Sequence, residues 1–293
     1  MIRDTQGNTW FKGNLHTHST MSDGKKTPEE VIALYQEHGY DFIALTDHYH
    51  WYPETQQSKG ILCLSGCEYD TGTNAREGIY HITAIGCTCE PALSREPQKP
   101  NVQEIIKQIH RCGGLAILAH PAWSMNTPEQ ILALPETDAL EIYNTISGKP
   151  WNCRPDSGHI VDFLALQGSY HRCIAADDSH FYNGEQCRSY IMVKAVECTR
   201  EALMNAILNG DYYATQGPDF SVAVEGGTLV VRSSPVREVV FYTNMVYTKD
   251  RVAQGEALTE ARYTIKPGDT FVRVELWDAQ GNCAWSPAIP VNI

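Results

Sequence analysis

Apolar runs and amphipathic stretches alternate along the first two thirds of the chain. Residues 27–30 read Thr-Pro-Glu-Glu, a capping box with proline at the first helical position. Apolar residues then recur with helical spacing up to Gly39, so the pattern predicts a helix that begins at Pro28 and ends at this glycine. Residues 42–45 form the next apolar run. A helix between two short apolar strands is typical of a β/α protein.

Residues 79–86 predict a strand of a different kind. His81 lies near its beginning, whereas other histidines follow the ends of apolar runs. If residues 69–80 form a hairpin, the strand runs antiparallel and His81 comes to lie beside Glu68. Gly72 and Gly78 favour such a turn.

The pattern changes at residues 217–218. From Phe220 onward the helical period disappears, and apolar residues alternate around residues 226–227, as in a hairpin. We therefore expect two domains, residues 1–217 and residues 218–293, the second a small all-β domain resembling a sandwich.

Composition narrows the class of protein. The 293 residues are 42% hydrophobic, enough for a sizeable core. No leader-like apolar segment and no run near the ~18 residues of a membrane span is found, so we expect a cytoplasmic protein without a membrane partner. The 10 cysteines form no CxxC pair, which favours free thiols. The net charge of -12 argues against a nucleic-acid polymer as partner, and so against an exonuclease.

Histidines and carboxylates recur at the ends of the apolar runs. Imidazole suits zinc, manganese or iron, and a carboxylate can bridge two such ions. Nine ligands are too many for one ion and too few to saturate three, which leaves positions open for water or substrate, as in a catalytic site. The candidate metal ligands are His16, His18, Asp23, His48, Glu68, His81, His120, Asp178 and His180.

The charge of such a site indicates its substrate. Three divalent ions, three carboxylates and one hydroxide leave a net charge of about +2, which favours a small anionic substrate such as a phosphate ester. Bound ions also lower the pKa of water and stabilise charge on a phosphoryl oxygen. These properties predict a hydrolase of small organic phosphates.

The ordered motifs resemble those of the PHP superfamily, named for polymerase and histidinol phosphatase. They are residues 16–18, 23–24, 46–48, 66–68, 81, 120–121 and 178–180, within a stretch of roughly residues 10–217. The resemblance implies an α/β fold, a distorted (β/α)7 barrel followed here by the small all-β domain, with a trinuclear centre of two to three divalent ions (Zn, Mn or Fe).

The resemblance also implies a division of the ligands and a role for three of them. One ion would bind His16, His18, Glu68 and Asp178, the second Glu68, His81 and His120, and the third Asp23, His48 and His180. Asp178, Glu68 and His180 would position a metal-bridging hydroxide that attacks phosphorus. The adjacent Asp177 is an alternative ligand, although the DxH spacing favours Asp178.

The C-terminal part leaves the substrate open. Residues 209–218 and 281–289 resemble a branch of the superfamily related to carbaryl hydrolase. A carboxylic or carbamate ester is therefore an alternative substrate, and a non-catalytic metal- or ligand-binding module is a further alternative.

Four residues near the ligand motifs are candidates for substrate binding: His50, His171, Arg172 and Arg188. A guanidinium can donate two hydrogen bonds to a phosphate, although a surface ion pair is the commoner fate of an arginine. Glu141 either points toward the site or is paired elsewhere.

Overall fold

The computed structural model of the chain describes residues 2–4, 7–56, 60–247 and 249–291. The chain is a mixed α/β protein, as predicted. None of the helices in these ranges is both long and apolar enough to cross a membrane. The helices are Pro28–Glu37 (α1), Val102–Arg111 (α2), Pro121–Ser124 (α3), Pro128–Leu132 (α4), Gly158–Leu166 (α5) and Arg200–Asn209 (α6).

The strands of the described ranges belong to two sheets. The first part of the chain contributes Ile2–Arg3 (β1), Thr9–Asn14 (β2), Phe42–Ala44 (β3), Thr55–Gln56 (β4), Leu62–Leu64 (β5), Gly66–Thr71 (β6), Tyr80–Ile85 (β7), Leu115–Leu118 (β8), Ala139–Asn144 (β9) and Cys173–Ala176 (β10). The later strands are Tyr190–Lys194 (β11), Tyr212–Thr215 (β12), Phe220–Glu225 (β13), Thr228–Thr243 (β14), Val252–Thr264 (β15), Phe271–Trp277 (β16), Cys283–Trp285 (β17) and Ile289–Pro290 (β18).

The predicted capping box forms at the start of α1. The Thr27 side chain accepts a hydrogen bond from the Glu30 backbone N–H, and the Glu30 carboxylate accepts one from the Thr27 N–H. Pro28 occupies the first turn, where its missing N–H costs nothing. Gly39 follows the helix with a φ of +75°, a conformation that favours glycine. Local sequence therefore determines both ends of this helix.

The smaller sheet has the order β10-β9-β8-β7-β6. Strands β10, β9 and β8 are parallel, whereas β7 is antiparallel to both β6 and β8. The hairpin predicted between Glu68 and His81 is thereby confirmed, with His81 directly opposite Asp70. The antiparallel hairpin interrupts the β/α alternation at this point of the chain.

The closed (β/α)7 barrel predicted by resemblance is not confirmed. The strands of the described residues form two separate sheets and no closed barrel. Isolated bridges, Thr17 with Ser179 and His48 with Glu68, connect the two sheets near the ends of the strands. Strands β2, β3 and β5 belong instead to the larger sheet, which also includes the C-terminal strands. Within that sheet, β11 and β12 lie between β2 and the C-terminal strand β17.

Strands β13 to β16 pack around a core of their own, made up of Leu229, Val231, Phe241, Val274 and neighbouring residues. Their sheet nevertheless continues through β17 and β12 into β11 and β2. Residues on both sides of the predicted boundary at 217 therefore share one hydrogen-bonded sheet. The division into two domains stays a prediction.

Arg273 joins α5 to the C-terminal sheet. Its Nε and Nη2 donate to the two carboxylate oxygens of Asp162 at 2.7 and 2.9 Å, and its Nη1 donates to Glu275 at 2.5 Å. The guanidinium also lies 4.2 Å from the centroid of the Tyr242 ring. Only 1% of Arg273 is exposed, so its charge depends on these partners.

The cysteines differ in part from the prediction of free thiols. Cys89 and Cys112 form a disulfide, with their Cα atoms 5.4 Å apart. The two residues lie on either side of α2, so no short sequence motif marks the pair. Free thiols are found at Cys67, Cys87, Cys153, Cys173, Cys187, Cys198 and Cys283.

Candidate metal centre

The predicted ligands converge where several strands end. His16 and His18 follow β2, His48 follows β3, and Asp178 follows β10. Successive side chains of an extended backbone point to opposite sides. His16 and His18 therefore point the same way, with ring centroids 5.2 Å apart. Both are fully buried. The strand ends thus gather side chains that are far apart in sequence.

Four ligand atoms form a compact group, which we call the inner group: His16 Nε2, His18 Nε2, Glu68 Oε2 and Asp178 Oδ1. The two ring nitrogens are 3.2 Å apart and lie 3.3 and 3.1 Å from Glu68 Oε2. Each is 3.1 Å from Asp178 Oδ1. A tetrahedral ion with ligands at about 2.0–2.1 Å keeps those ligands about 3.3 Å apart. Five of the six distances among these four atoms are therefore close to those of a tetrahedral metal site.

Hydrogen bonding also fits a cation in the inner group. His16 Nδ1 lies 2.7 Å from Glu141 Oε1, and an N–H there leaves Nε2 unprotonated, with its lone pair toward the group. Asp178 Oδ1 is buried and makes no hydrogen bond. A buried charged oxygen without a donor is costly unless a cation compensates it. The donor set, two imidazoles and two carboxylates, suits a divalent transition metal.

Glu68 connects the inner group to a second group. Its Oε1 is 2.8 Å from His81 Nδ1 and 3.6 Å from His120 Nε2, whereas its Oε2 belongs to the inner group. The rings of His81 and His120 are 4.9 Å apart. The two oxygens of one buried carboxylate thus face different sets of histidines, which is the arrangement of a bridging ligand.

A third group lies on the more exposed side of the centre. Asp23 Oδ1 is 3.5 Å from both His180 Nε2 and His18 Nδ1, and Asp23 Oδ2 is 3.9 Å from His48 Nε2. His48 and His180 have 18% of their side chains exposed, and Asp23 has 55%. All nine predicted ligands therefore lie in groups that could hold a metal ion, in which His81 is grouped with Glu68 and His48, and His120 with Glu68 and His16. The third group is the one that opens to solvent.

The sequence did not determine whether Glu141 points toward the site, and the structure shows that it does. It is fully buried, and besides His16 its carboxylate accepts hydrogen bonds from the His120 backbone N–H at 2.8 Å and from Asn144 Nδ2 at 2.7 Å. Asn144 Nδ2 also lies 3.2 Å from Asp178 Oδ2. Glu141 thus orients residues of two ligand groups. A charged residue inside the apolar strand β9 is the sequence signal for such a role.

Asp177 and Asp178 have separate roles. Asp177 points away from the ligand groups and accepts hydrogen bonds from the backbone N–H groups of residues 187–189 and from Tyr35. Burial outweighs these hydrogen bonds and raises the pKa of Asp177 to about 6. Asp178 faces the histidines instead. Asp177 therefore holds the loop that follows β10.

Protons compete with metals for this site. Burial alone would lower the pKa of His18, but the adjacent carboxylates of Asp178 and Glu68 outweigh it and raise the pKa to about 10. Burial likewise opposes ionisation of Glu68, yet the charges of His48, His16 and His81 hold its pKa well below the usual range. A carboxylate-rich pocket that attracts protons so strongly attracts divalent cations for the same reason.

Three residues at the centre have backbone conformations that are rare outside glycine. The φ angles are +54° at Tyr49, +28° at His120 and +54° at Asp178. Each such conformation costs on the order of 1–3 kcal/mol and concentrates at functional sites. The surrounding structure therefore holds two predicted ligands in conformations that the isolated chain disfavours.

Two predicted substrate-binding residues, His171 and Arg172, lie away from the ligand groups. They immediately precede β10, whereas Asp178 follows it. The two ends of a strand lie at opposite edges of its sheet, so the backbone of both residues lies at the edge remote from the predicted metal ligands. Arg172 Nη1 approaches the Asp138 carbonyl oxygen at 3.4 Å. Their proximity to the ligand motifs is along the chain and not in space.

The other two, His50 and Arg188, lie on loops at the same edge as the ligands. The His50 backbone N–H donates to the Asp47 carbonyl oxygen at 3.2 Å. The Arg188 backbone N–H donates to Asp177 Oδ1 at 2.9 Å, and its guanidinium is exposed. Binding of substrate by either residue stays a prediction.

The comparison with known families agrees with this geometry. Residues 14–148 match the model of the PHP domain. The chain contains a PHP domain. This match confirms the resemblance inferred from the motifs, and the PHP domain includes every predicted ligand except Asp178 and His180.

Solved structures provide a second comparison. The chain is similar to a two-domain protein from Bacteroides vulgatus ATCC 8482, described as containing a predicted PHP-like metal-dependent phosphoesterase, with 16% identity, a TM-score of 0.55 and coverage of 99% of this chain and 98% of that chain. It is also similar to an amidohydrolase from Chromobacterium violaceum with bound sulfate and no metal, with 17% identity, a TM-score of 0.44 and coverage of 59% and 89%. No curated protein matches the chain. The first likeness supports the fold.

Glu141→Gln is expected to weaken metal binding about 10- to 100-fold, the usual effect of removing a partner that orients a metal ligand. The amide keeps the size of the side chain but loses the charge that fixes the His16 tautomer. Metal affinity measured by titration with a competing chelator checks this prediction. An affinity equal to that of the wild type would show that Glu141 does not orient His16.

Proposed function

We propose that the chain is a metal-dependent phosphoesterase that hydrolyses a small organic phosphate ester with two to three divalent ions bound by the nine residues described above. The observation that carries the proposal is the inner group. Five distances among its four atoms are close to those of a tetrahedral metal site, and three of its four residues lie within the PHP domain. Divalent ions, when bound, would lower the pKa of water and neutralise charge on a phosphoryl group.

The residues of this chain would hold and orient the ions that supply this chemistry. Glu68 would tie the inner group to the second group, because its two oxygens contact different histidines. Asp178 would place a carboxylate at the inner group without a competing hydrogen bond to Oδ1. The exposed third group, with Asp23 and His48, would form the entrance for the substrate.

We also propose that residues 1–217 form the hydrolase domain and that residues 218–293 form the small β-domain. The separate core of β13 to β16 supports this division, as does the two-domain architecture stated for the similar protein from Bacteroides vulgatus. Stacking of Trp285 on Tyr143, with centroids 4.8 Å apart, would fix the two domains against each other.

A panel of substrates tests the proposed reaction. Phosphomonoesters, phosphodiesters, carboxylic esters and aryl carbamates would each be assayed with Zn²⁺, Mn²⁺ and Fe²⁺. We expect metal-dependent release of phosphate from at least one class of phosphate ester. Hydrolysis of carbamates alone would decide for the alternative ester hydrolase, and hydrolysis of none would favour a binding module.

A further inference from the structure

Two cations lie beside the ligand groups, on the connection between β7 and α2. Arg95 Nη2 is 3.3 Å from Asp70 Oδ1, and Lys99 Nζ contacts Asp70 Oδ2. Asp70 follows Glu68 by two residues on β6, so both carboxylates leave the strand on the same face. Asp70 Oδ1 is also 3.6 Å from His48 Nδ1. A single carboxylate therefore links the two cations to the candidate metal centre.

Tyr49 holds this arrangement in place. Its hydroxyl donates to the Asp70 carbonyl oxygen at 2.7 Å, and its backbone N–H donates to the Glu68 carbonyl oxygen at 2.9 Å. Its ring centroid is 5.5 Å from the Arg95 guanidinium carbon, within the range of a cation–π contact. The ring and the Asp70 carboxylate together orient the guanidinium.

Both cations have capacity for another anion. A guanidinium has five N–H donors and an ammonium has three, whereas the contact with Asp70 uses a single nitrogen of each side chain. The side chain of Arg95 is 52% exposed and that of Lys99 is 34% exposed. With Asp70 ionised, the three residues together carry a net charge of about +1. An anion can therefore reach them without first displacing the carboxylate.

The surroundings leave room for the body of a small substrate. Lys99 lines an open cleft of about 690 Å³, together with Thr71, Gln98 and Asn101. This cleft lies along the same connection that carries Arg95. Lys99 connects the cleft with Asp70, because the same side chain contacts that carboxylate.

We propose that Arg95 and Lys99 bind a second anionic group of the substrate, while the ester phosphate occupies the metal centre. This inference rests on the proposed function. It assigns the substrate to small organic phosphates that carry a further phosphate or carboxylate. Asp70 positions the two cations. Arg95 and Lys99 determine the preference between substrates with one anionic group and substrates with two.

A matched pair of substrates tests this proposal: 3-hydroxypropyl phosphate, and propane-1,3-diyl bisphosphate, which differs only by the second phosphate. For the wild type we expect a lower KM for the bisphosphate. The double variant R95A/K99A should raise the KM of the bisphosphate at least about tenfold more than it raises the KM of the monophosphate, because charge-assisted hydrogen bonds to the second group are lost. The control K107A/R111A removes two exposed cations from α2 and should change neither value.

Calorimetric binding of propane-1,3-diyl bisphosphonate, which cannot be hydrolysed, gives a measurement that does not depend on turnover. We expect at least about tenfold weaker binding to R95A/K99A than to the wild type and to K107A/R111A. Equal binding by all three proteins would overturn the assignment of Arg95 and Lys99 even if phosphate esters are hydrolysed. Binding that depends on Arg95 and Lys99, without hydrolysis of any phosphate ester, would support the site and reject the phosphoesterase.

Discussion

His16→Ala is expected to lower metal-dependent phosphate release by at least about 100-fold and to reduce the number of ions bound per chain. Loss of a residue that only orients a ligand already costs about 10- to 100-fold. His16 Nε2 contacts Glu68 and Asp178 directly. Its loss would remove a metal-binding nitrogen and leave the negative charges of two buried carboxylates uncompensated. Initial rates and elemental analysis of the purified variant provide the measurement.

His38→Ala is the matched control for that variant. His38 is exposed at the end of α1, and its Nδ1 contacts only the Leu34 carbonyl oxygen among the hydrogen bonds of the described chain. We expect wild-type rates and wild-type metal content. If His16→Ala keeps the rate and metal content of the His38→Ala protein, His16 is a buried structural histidine and not a ligand.

Arg273→Ala is expected to destabilise the fold by about 3–5 kcal/mol, the usual cost of removing one partner of a buried ion pair. The substitution leaves the buried Glu275 and the largely buried Asp162 without the guanidinium that bridges them. For a chain of this size the midpoint of thermal unfolding should fall by roughly 6–20 °C. Thermal unfolding followed by circular dichroism measures this shift.

Arg232→Ala provides the comparison on the same C-terminal sheet. Arg232 contacts Glu225 and Glu260, but 48% of its side chain is exposed, so solvent screens these ion pairs. Such exposed pairs contribute little to stability, so we expect a much smaller shift of the thermal midpoint for this variant. Equal thermal midpoints for the Arg232 and Arg273 variants would mean that the contact between α5 and β16 does not stabilise the fold.

Local patterns predicted the elements of this fold well where short-range interactions decide the structure. The box at Thr27 and Glu30 determines the start of α1, and the glycines after Glu68 favour the hairpin that places His81 beside it. The convergence of His16 and His18 follows from the alternation of side chains in an extended chain. These features depend on residues close together in sequence.

Long-range pairing could not be predicted in the same way. Whether β2 and β11 close a barrel or join the C-terminal strands depends on hydrogen bonds between β12 and β17, about 70 residues apart, which no local pattern encodes. The disulfide of Cys89 and Cys112 likewise depends on the path of the chain around α2.

The site shows the same limit. Sequence proximity suggested Arg172 as a cation for the substrate, but β10 carries that residue to the other edge of its sheet. Arg95 and Lys99 reach the centre through a long connection whose course no motif indicates. Residues recruited by tertiary packing, such as Glu141, become recognisable only once their neighbours are known.

Stepwise addition of Mn²⁺ or Zn²⁺ to chelator-treated protein, with phosphate release recorded at each ratio of metal to chain, tests the phosphoesterase proposal most directly. We expect activity on a phosphate ester to be absent without metal, to rise with each addition and to level off at two to three ions per chain. Metal-independent hydrolysis, or no phosphate release at any ratio with any phosphate ester of the panel, would show that these nine residues do not form a phosphoesterase centre.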